Sequence, residues 1–255
     1  MEQTARLALS LLDLTSLNET DGDDEIRRLC HRARTPAGPP AAVCVPGRLV
    51  AQASASLVKL GLRDQVRVAT VVNFPAGTDP IEDVVLQIRS ALTSGADEID
   101  LVFPYQDLLA GDENSGYRLI NRCRQISTGY VLKVILETGE LKTPQLVRTA
   151  SEIALSAGAD FLKTSTGKVA VNATPEAAAV MMETIRDSGR PVGFKAAGGI
   201  RTVRDAAHYL DLGESILGPA WLRPERFRFG ASGLLDDILS TLGFGIPPVH
   251  LGTGY

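Results

Sequence analysis

Short apolar runs alternate with longer amphipathic stretches along almost the whole chain. The runs are rich in β-branched residues, which favours strands, and they recur about every 30 residues, the length of one strand–helix–strand unit. Six clear runs begin at Ala41, Arg67, Glu98, Tyr130, Ala159 and Pro191, and weaker runs occupy 215–218 and 226–232. The pattern predicts parallel strands joined by helices.

The amphipathic stretches carry residues that begin and end helices. One stretch opens with an aspartate and closes on a glycine, over 79–95. Two others begin with a threonine before a proline, Thr143 before Pro144 and Thr174 before Pro175. A threonine caps the free N–H groups of the first turn, and a proline at the first helical position loses no hydrogen bond. These stretches predict the helices that cover the sheet.

Eight alternations of this kind predict a (β/α)8 TIM barrel, which typically needs about 250 residues. We expect a single domain over residues 1–255, with an extra N-terminal helical segment over 1–35 and a mobile, Gly/Pro-rich tail over 244–255. The alternative is a doubly wound open sheet. That fold favours a glycine-rich fingerprint after the first strand, which "CVPGRLV" does not supply.

Composition narrows the functions that such a barrel could have. The chain has 255 residues and a net charge of −4, so nothing favours binding to nucleic acid or to an anionic membrane. Without an apolar run of 18 residues, no transmembrane helix is expected. The three cysteines have no paired spacing and the three histidines form no cluster. We therefore expect a cytoplasmic protein without a metal site and without a cofactor.

An internal repeat indicates where the chemistry lies. "SGADEIDLVF", from residue 94, aligns without gaps with "AGADFLKTST", from residue 157, so Asp100 matches Lys163. Alternate strands of a barrel contribute to one interior layer, so both side chains should point inward at a similar height. Lys133 and Lys195 have comparable places in the fourth and sixth runs. A single strand lysine is often solvent-facing or salt-bridged, but four such charges favour a site.

A buried lysine pair suits nucleophilic chemistry on a carbonyl. The attacking amine must be neutral, whereas a free lysine has a pKa of about 10.4. Burial and a second nearby lysine both lower that pKa. These residues therefore predict Lys163 as a Schiff-base nucleophile, with Asp100 and Lys195 moving protons.

Three glycine turns at strand ends predict a site for a phosphorylated ligand. They are "STGKV", "AGGIRT" and "FGASG". Glycine lets an anion approach the backbone, and free N–H groups at a helix start bind it. The residues offered are Gly167, Lys168, Gly198, Gly199, Arg201 in the first turn of a helix, and Ser232 at another helix start.

The chain resembles the deoxyribose-phosphate aldolases, class I, metal-independent aldolases with a (β/α)8 barrel. The resemblance runs from "LLDLTSLN" to "RFGAS", with the final tyrosine, and is carried by "EIDLVFPY", "LKVILETGELK", "GADFLKTSTGKVAVNATPE" and "VGFKAAGGIRT". It implies reversible cleavage of 2-deoxyribose 5-phosphate to acetaldehyde and glyceraldehyde 3-phosphate. The chain departs from the family pattern at Ala196, often a proline, and at Gly233, often a second serine.

The resemblance also implies roles for individual residues. Lys163 would form the imine, Lys195 would lower its pKa, and Asp100 would relay protons through water. Tyr255 would assist proton transfer from the C-terminal tail. The substrate would be bound by Asp13, Thr15 and Lys133 at the sugar, Cys44 near the entrance, and Thr166, Gly167, Lys168, Gly198, Gly199, Arg201, Ser232 and Gly233 around the phosphate.

Two other functions compete with this hypothesis. A Schiff-base barrel could perform transaldolase or dehydratase chemistry on another sugar phosphate, or a non-catalytic barrel could bind phosphosugars. The lysine pair with its aspartate favours the aldolase. Its expected partners are a sugar phosphate and aldehydes, with a homodimer among the possible assemblies.

Overall fold

A closed barrel of eight parallel strands forms the centre of the protein in the computed structural model, which describes residues 1–245. Each strand pairs with its neighbour in chain order, and the last pairs with the first. The strands are β1 (Leu12–Thr15), β2 (Ala42–Val45), β3 (Arg67–Val72), β4 (Glu98–Val102), β5 (Val131–Ile135), β6 (Phe161–Lys163), β7 (Gly193–Ala197) and β8 (Phe227–Ala231).

Helices follow the strands and pack around the barrel. Neighbouring outer helices contact one another, and their apolar faces join the outward side chains of the strands in one hydrophobic core. They are α1 (Glu2–Ser10), α2 (Asp23–Arg32), α3 (Val50–Lys59), α4 (Ile81–Thr93), α5 (Tyr105–Leu109), α6 (Glu113–Ile126), α7 (Thr138–Leu141), α8 (Pro144–Ser156), α9 (Pro175–Asp187), α10 (Val203–Leu217) and α11 (Leu234–Thr241), with short 3₁₀ turns at Gly47–Leu49 and Pro219–Trp221.

The predicted (β/α)8 barrel is confirmed, including the N-terminal helix, and closure excludes the open sheet. One of the eight strands was predicted at the wrong residues. The apolar run over 215–218 belongs to the end of α10 and its cap, and the missing strand is β1. Because β1 has only four residues and an aspartate in its middle, its sequence does not stand out from the apolar helix before it. The strands counted from Ala41 are thus β2 to β7.

Predicted caps begin two of the outer helices. The Thr143 side chain accepts a hydrogen bond from the N–H of Leu146, and Thr174 does the same for Ala177. Each threonine precedes a proline at the first helical position. The predicted helix boundaries after these threonines are confirmed.

The internal repeat corresponds to a repeated turn that enters β4 and β6. The Asp97 carboxylate accepts a hydrogen bond from the N–H of Val68 (2.7 Å) and pairs with Arg63 (2.8 Å). Asp160 accepts one from the N–H of Leu132 (2.8 Å) in the same way. Each aspartate ties the start of its strand to the preceding strand. This shared anchor sets the register that carries Asp100 and Lys163 inward three residues later.

The barrel interior differs in character from the outer core. Inward positions of β2 and β3 hold a small apolar cluster of Ala42, Cys44, Ala69 and Val71. Each of the other six strands carries at least one charged side chain that points inward. None of the helices between residues 1 and 245 combines the length and apolar character that a bilayer crossing requires.

Replacing Asp97 with alanine should destabilise the protein by about 1–3 kcal/mol, because a backbone N–H and a guanidinium lose their acceptor. The free energy of unfolding from urea titration measures this. Asp64→Ala, at an exposed aspartate of the preceding loop, is the control and should change stability by less than about 0.5 kcal/mol. Equal effects of the two variants would contradict the anchoring role of Asp97.

Candidate active site

A cavity of about 610 Å³ opens where β1, β6, β7 and β8 end. This is the carboxyl face of the barrel, where the strand-to-helix loops converge. Ten of the residues predicted to form the site line it: Thr15, Lys163, Thr166, Gly167, Lys168, Gly198, Gly199, Arg201, Ser232 and Gly233. A side cleft of about 900 Å³ adjoins it and shares Lys168.

Glycines shape the rim of this cavity. Gly198 and Gly199 follow β7 with φ of 86° and 85°, and Gly167 follows β6 with φ of 83°. All three lie in the left-handed region that glycine adopts without strain. A Cβ on Gly198 would lie 2.6 Å from the Cβ of Asn172, so no larger residue fits there. The rim therefore brings backbone close to any bound anion.

Two details of the rim differ from the prediction. Arg201 precedes α10 instead of lying in its first turn, and its N–H donates to the side chain of Asp205 while Thr202 is the cap. Ser232 lies one residue before Gly233, which is the cap of α11. The Arg201 side chain and the Ser232 hydroxyl thus line the cavity ahead of the two helices. An anion there would meet a guanidinium, a hydroxyl and glycine backbone.

Lys163 ends β6 at the floor of the cavity. Its register partner on β7 is Lys195, as the lysine pair requires. The Nζ atoms of Lys163 and Lys195 lie 2.7 and 2.8 Å from the same oxygen, Oδ2 of Asp100. The Lys163 side chain is 3% exposed, whereas that of Lys195 is fully buried. Of the two amines, Lys163 is therefore the one that an incoming carbonyl can reach.

Beneath Lys163 the ion pairs extend across the barrel. Lys133 lies 2.8 Å from Asp100 and 2.6 Å from Glu98. Arg228 lies 2.8 Å from Glu98 and 2.6 Å from Asp13. Asp13 also pairs with Lys195. We call these seven residues the barrel ion cluster: Asp13, Glu98, Asp100, Lys133, Lys163, Lys195 and Arg228.

The cluster contains four basic groups and three carboxylates, so one base lacks a counter-charge. Burial lowers the pKa of Lys163, and Lys195 lowers it further, against the opposing effect of Asp100. In the other three bases the carboxylates outweigh burial, and the pKa values of Lys133, Lys195 and Arg228 are raised. Lys163 is thus the base that loses its proton most easily.

The carboxylates respond in the opposite sense. Burial alone would raise the pKa of Asp100, but Lys133, Lys163 and Lys195 reverse this and hold it well below its ordinary value. The pKa of Asp13 is lowered for the same reason, chiefly by Lys195 and Arg228. Asp100 is therefore an ionised acceptor between one amine with a lowered pKa, Lys163, and one with a raised pKa, Lys195. This is the set of groups that proton transfer at a bound carbonyl requires.

Three residues expected at the substrate lie deeper. Asp13 and Lys133 are fully buried in the barrel ion cluster, below the lined cavity, and Cys44 is fully buried in the small apolar cluster. Burial raises the pKa of the Cys44 thiol, although the nearby Lys195 opposes this. Tyr255 falls outside the described residues, so its expected role stays a prediction.

Sequence reasoning missed three buried charged residues in and beside the barrel. Glu98 lies two residues before Asp100, and a spacing of two puts both on one face of a strand. Arg228 alternates with buried phenylalanines in "RFRFGAS" in the same way. Glu137, fully buried after β5, hydrogen-bonds the N–H of Thr166 (3.2 Å) and its hydroxyl, and burial raises its pKa. Alternation alone could have found the first two.

Histidine, cysteine and acidic side chains do not gather into a possible metal-binding group anywhere in residues 1–245. Buried carboxylates lie inside the barrel, but each forms ion pairs with lysine or arginine side chains. What the cavity offers chemically is therefore an amine with a lowered pKa, an ionised carboxylate and a glycine-rich rim.

Known proteins share both the sequence pattern and the fold. The profile of the DeoC/LacD family aldolases matches residues 7–237, about nine-tenths of the chain. A candidate deoxyribose-phosphate aldolase of Toxoplasma gondii superimposes with a TM-score of 0.87 at 25% identity, covering 95% of each chain. One from Coccidioides immitis gives 0.81 at 29% identity, covering 93% of this chain and 86% of that one.

The deoxyribose phosphate aldolase of Aeropyrum pernix, described as a unique tetramer, gives a TM-score of 0.76 at 25% identity. The match covers 95% of this chain and 93% of that one. The similarity therefore spans the barrel together with its outer helices.

Replacing Gly198 with alanine should weaken anion binding at the rim by at least about tenfold, because the new methyl group must displace Asn172 and strain a left-handed residue. Titration calorimetry with inorganic phosphate measures this. Gly218→Ala is the matched control, since it strains a left-handed glycine (φ 90°) that does not line this cavity, with nothing within 4 Å of the added Cβ. Equal affinities in the two variants would contradict a backbone contribution by Gly198.

Proposed function

The chain belongs to the DeoC/LacD family of aldolases, and from this premise we propose that it reversibly cleaves 2-deoxyribose 5-phosphate to acetaldehyde and glyceraldehyde 3-phosphate. It is a class I lyase, so the reaction proceeds through an imine on a lysine. The proposal extends the family assignment to a substrate and to named residues.

One observation carries the residue assignment: Lys163 is the only member of the barrel ion cluster that both lines the cavity and has a lowered pKa. A neutral Nζ attacks the C1 aldehyde of the open-chain sugar to form a carbinolamine, which takes up a proton and loses water to leave an iminium ion. Lys195, whose pKa is raised, keeps its proton nearby and disfavours a second positive charge on Lys163.

Cleavage then needs one proton removed and one delivered. A base takes the proton of the C3 hydroxyl, the C2–C3 bond breaks, and its electrons move into the iminium to form an enamine. Glyceraldehyde 3-phosphate leaves at this point. Protonation at C2 regenerates an iminium, which water hydrolyses to acetaldehyde and free Lys163. Asp100, ionised and 2.7 Å from Lys163, is the nearest acceptor for these transfers.

The glycine-rich rim supports a phosphate at the far end of the substrate. Arg201 and Lys168 supply positive charge, Ser232 supplies a hydroxyl, and Gly198 and Gly199 supply close backbone. A phosphate bound there would fix the sugar chain with its aldehyde toward Lys163. Thr166, held by Glu137, and Thr15 line the space between, which suits the sugar hydroxyls.

Asp13 and Lys133 would act on the sugar site from below, by ordering the ion pairs under Lys163. Tyr255 keeps the role that the resemblance implies, whereas Cys44 lies in the small apolar cluster and not at the entrance. A single functional domain over 1–255 belongs to the same proposal, as does a homo-oligomer. A reducing compartment such as the cytoplasm suits three cysteines that are free thiols, namely Cys30, Cys44 and Cys123.

A coupled assay of 2-deoxyribose 5-phosphate cleavage tests the substrate directly. A transaldolase or dehydratase would form an imine with another sugar phosphate and would not be trapped by acetaldehyde and borohydride. A phosphosugar-binding barrel would form no imine with any aldehyde. An adduct without cleavage would overturn the proposed substrate, and cleavage without an acetaldehyde adduct would overturn the imine on Lys163.

Lys163→Arg should abolish cleavage, because a guanidinium cannot form the imine. The substitution preserves the positive charge beside Asp100, so a loss of activity reports the missing amine. Borohydride trapping with acetaldehyde, followed by peptide mass spectrometry, should place the adduct on Lys163 in the unaltered enzyme. An adduct on Lys133 or Lys195 instead would refute the assignment.

Lys195→Leu should reduce turnover at least about 10²-fold, since it removes a proton donor and a charge that lowers the pKa of Lys163. The pH at which trapping is half-maximal should rise, because without Lys195 the ammonium form of Lys163 pairs with Asp100 unopposed. An unchanged pH profile would show that Lys195 does not tune the nucleophile.

A further inference from the structure

The proposed reaction uses Lys163, Lys195 and Asp100, but two further charged residues of the barrel ion cluster have no part in it. Arg228 and Glu98 lie at the opposite end of the barrel, where both border a second cavity of about 910 Å³ at the amino ends of the strands. They are only 5% and 3% exposed. A buried ion pair contributes little net stability on average, so stability alone does not explain why Arg228 and Glu98 are paired inside the barrel.

Contacts connect this pair to the nucleophile in two ways. Glu98 binds Lys133, and Lys133 binds the Oδ1 atom of Asp100, whose other oxygen receives Lys163. Arg228 binds Asp13, which in turn binds Lys195. Every step is an ion pair between side chains that are almost completely buried.

We propose that Arg228 and Glu98 are positioning residues that set the charge of Lys163 from across the barrel: Arg228 supplies the cation that leaves the barrel ion cluster one carboxylate short, and Glu98 limits the excess of cations to one. The inference rests on the proposed function, in which Lys163 is the nucleophile.

Charge counting within the cluster gives the direction of each change. Without Arg228, three carboxylates face three lysines, and all three lysines, Lys163 included, can stay protonated. Without Glu98, the excess of cations grows to two, which disfavours the proton on Lys163 further. Removing both restores an excess of one. Low local polarity makes each such charge effective over the width of the barrel.

Other titratable groups face Lys163 and stay unchanged in these variants. Asp100 approaches it from β4, Lys195 from β7 and Cys44 from β2, while Glu137 lies after β5 and is bound to Thr166. Because these groups are the same in all the proteins compared, a difference in the pH midpoint between variants reports the effect of Arg228 or Glu98.

The experiment measures the rate of borohydride-trapped acetaldehyde adduct on Lys163 as a function of pH. The rate rises with pH as Lys163 loses its proton. In Arg228→Met the midpoint should rise by about one pH unit, the size expected for one buried charge. In Glu98→Gln it should fall. The double variant should return to within about 0.3 units of the unaltered enzyme.

Arg228→Lys is the matched control, because it keeps the charge and should leave the midpoint unchanged. A merely structural role would make the double variant at least as impaired as either single one, so failure of the double variant to return overturns the inference. An upward shift in Glu98→Gln also overturns it, and this test does not need Arg228→Met to fold. No adduct on Lys163 in the unaltered enzyme would overturn the proposed function itself, and this inference with it.

Discussion

Seven ionisable side chains share the interior of a closed parallel barrel, and the bases outnumber the carboxylates by one. In a region almost without solvent, an uncompensated charge is costly, so the pKa of the basic group that carries it is lowered. Lys163 is that group because it has one carboxylate partner and faces the cavity, whereas Lys133 and Lys195 each have more. The reactivity of one amine is thus a property of the whole cluster.

Barrel closure makes the cluster possible. Asp13 stands on β1 and reaches Arg228 and Lys195 only because β1 pairs with β8. Inward alternation along each strand places Glu98 and Asp100 at two heights, so the ion pairs run along the barrel axis as well as across it. An open sheet would leave these side chains on one face but would put β1 and β8 at opposite edges, where Asp13 could not reach Arg228 or Lys195. The fold therefore determines the charge balance as well as the shape.

Two parts of the site have different physical demands. The nucleophile needs rigid strands, since its pKa depends on ion-pair distances below 3 Å. The rim needs backbone that approaches an anion, and glycines in the left-handed region provide it at Gly167, Gly198 and Gly199. Strand ends and loops meet at the carboxyl face, so one barrel supplies both.

The sequence alone determined the barrel through the repeat of apolar runs, and two helix starts through threonine–proline pairs. It also indicated the inward positions of Asp100, Lys163 and Lys195, because period and alternation are local properties of the sequence. It did not distinguish β1, whose four residues are strand only through pairing with β2 and β8. Alternation along the strands already indicates that Glu98 and Arg228 point inward. The partners of each charge, and the place of Glu137, were decided by tertiary structure alone. Ion pairing joins residues up to 215 positions apart, and only the closed barrel brings them within reach.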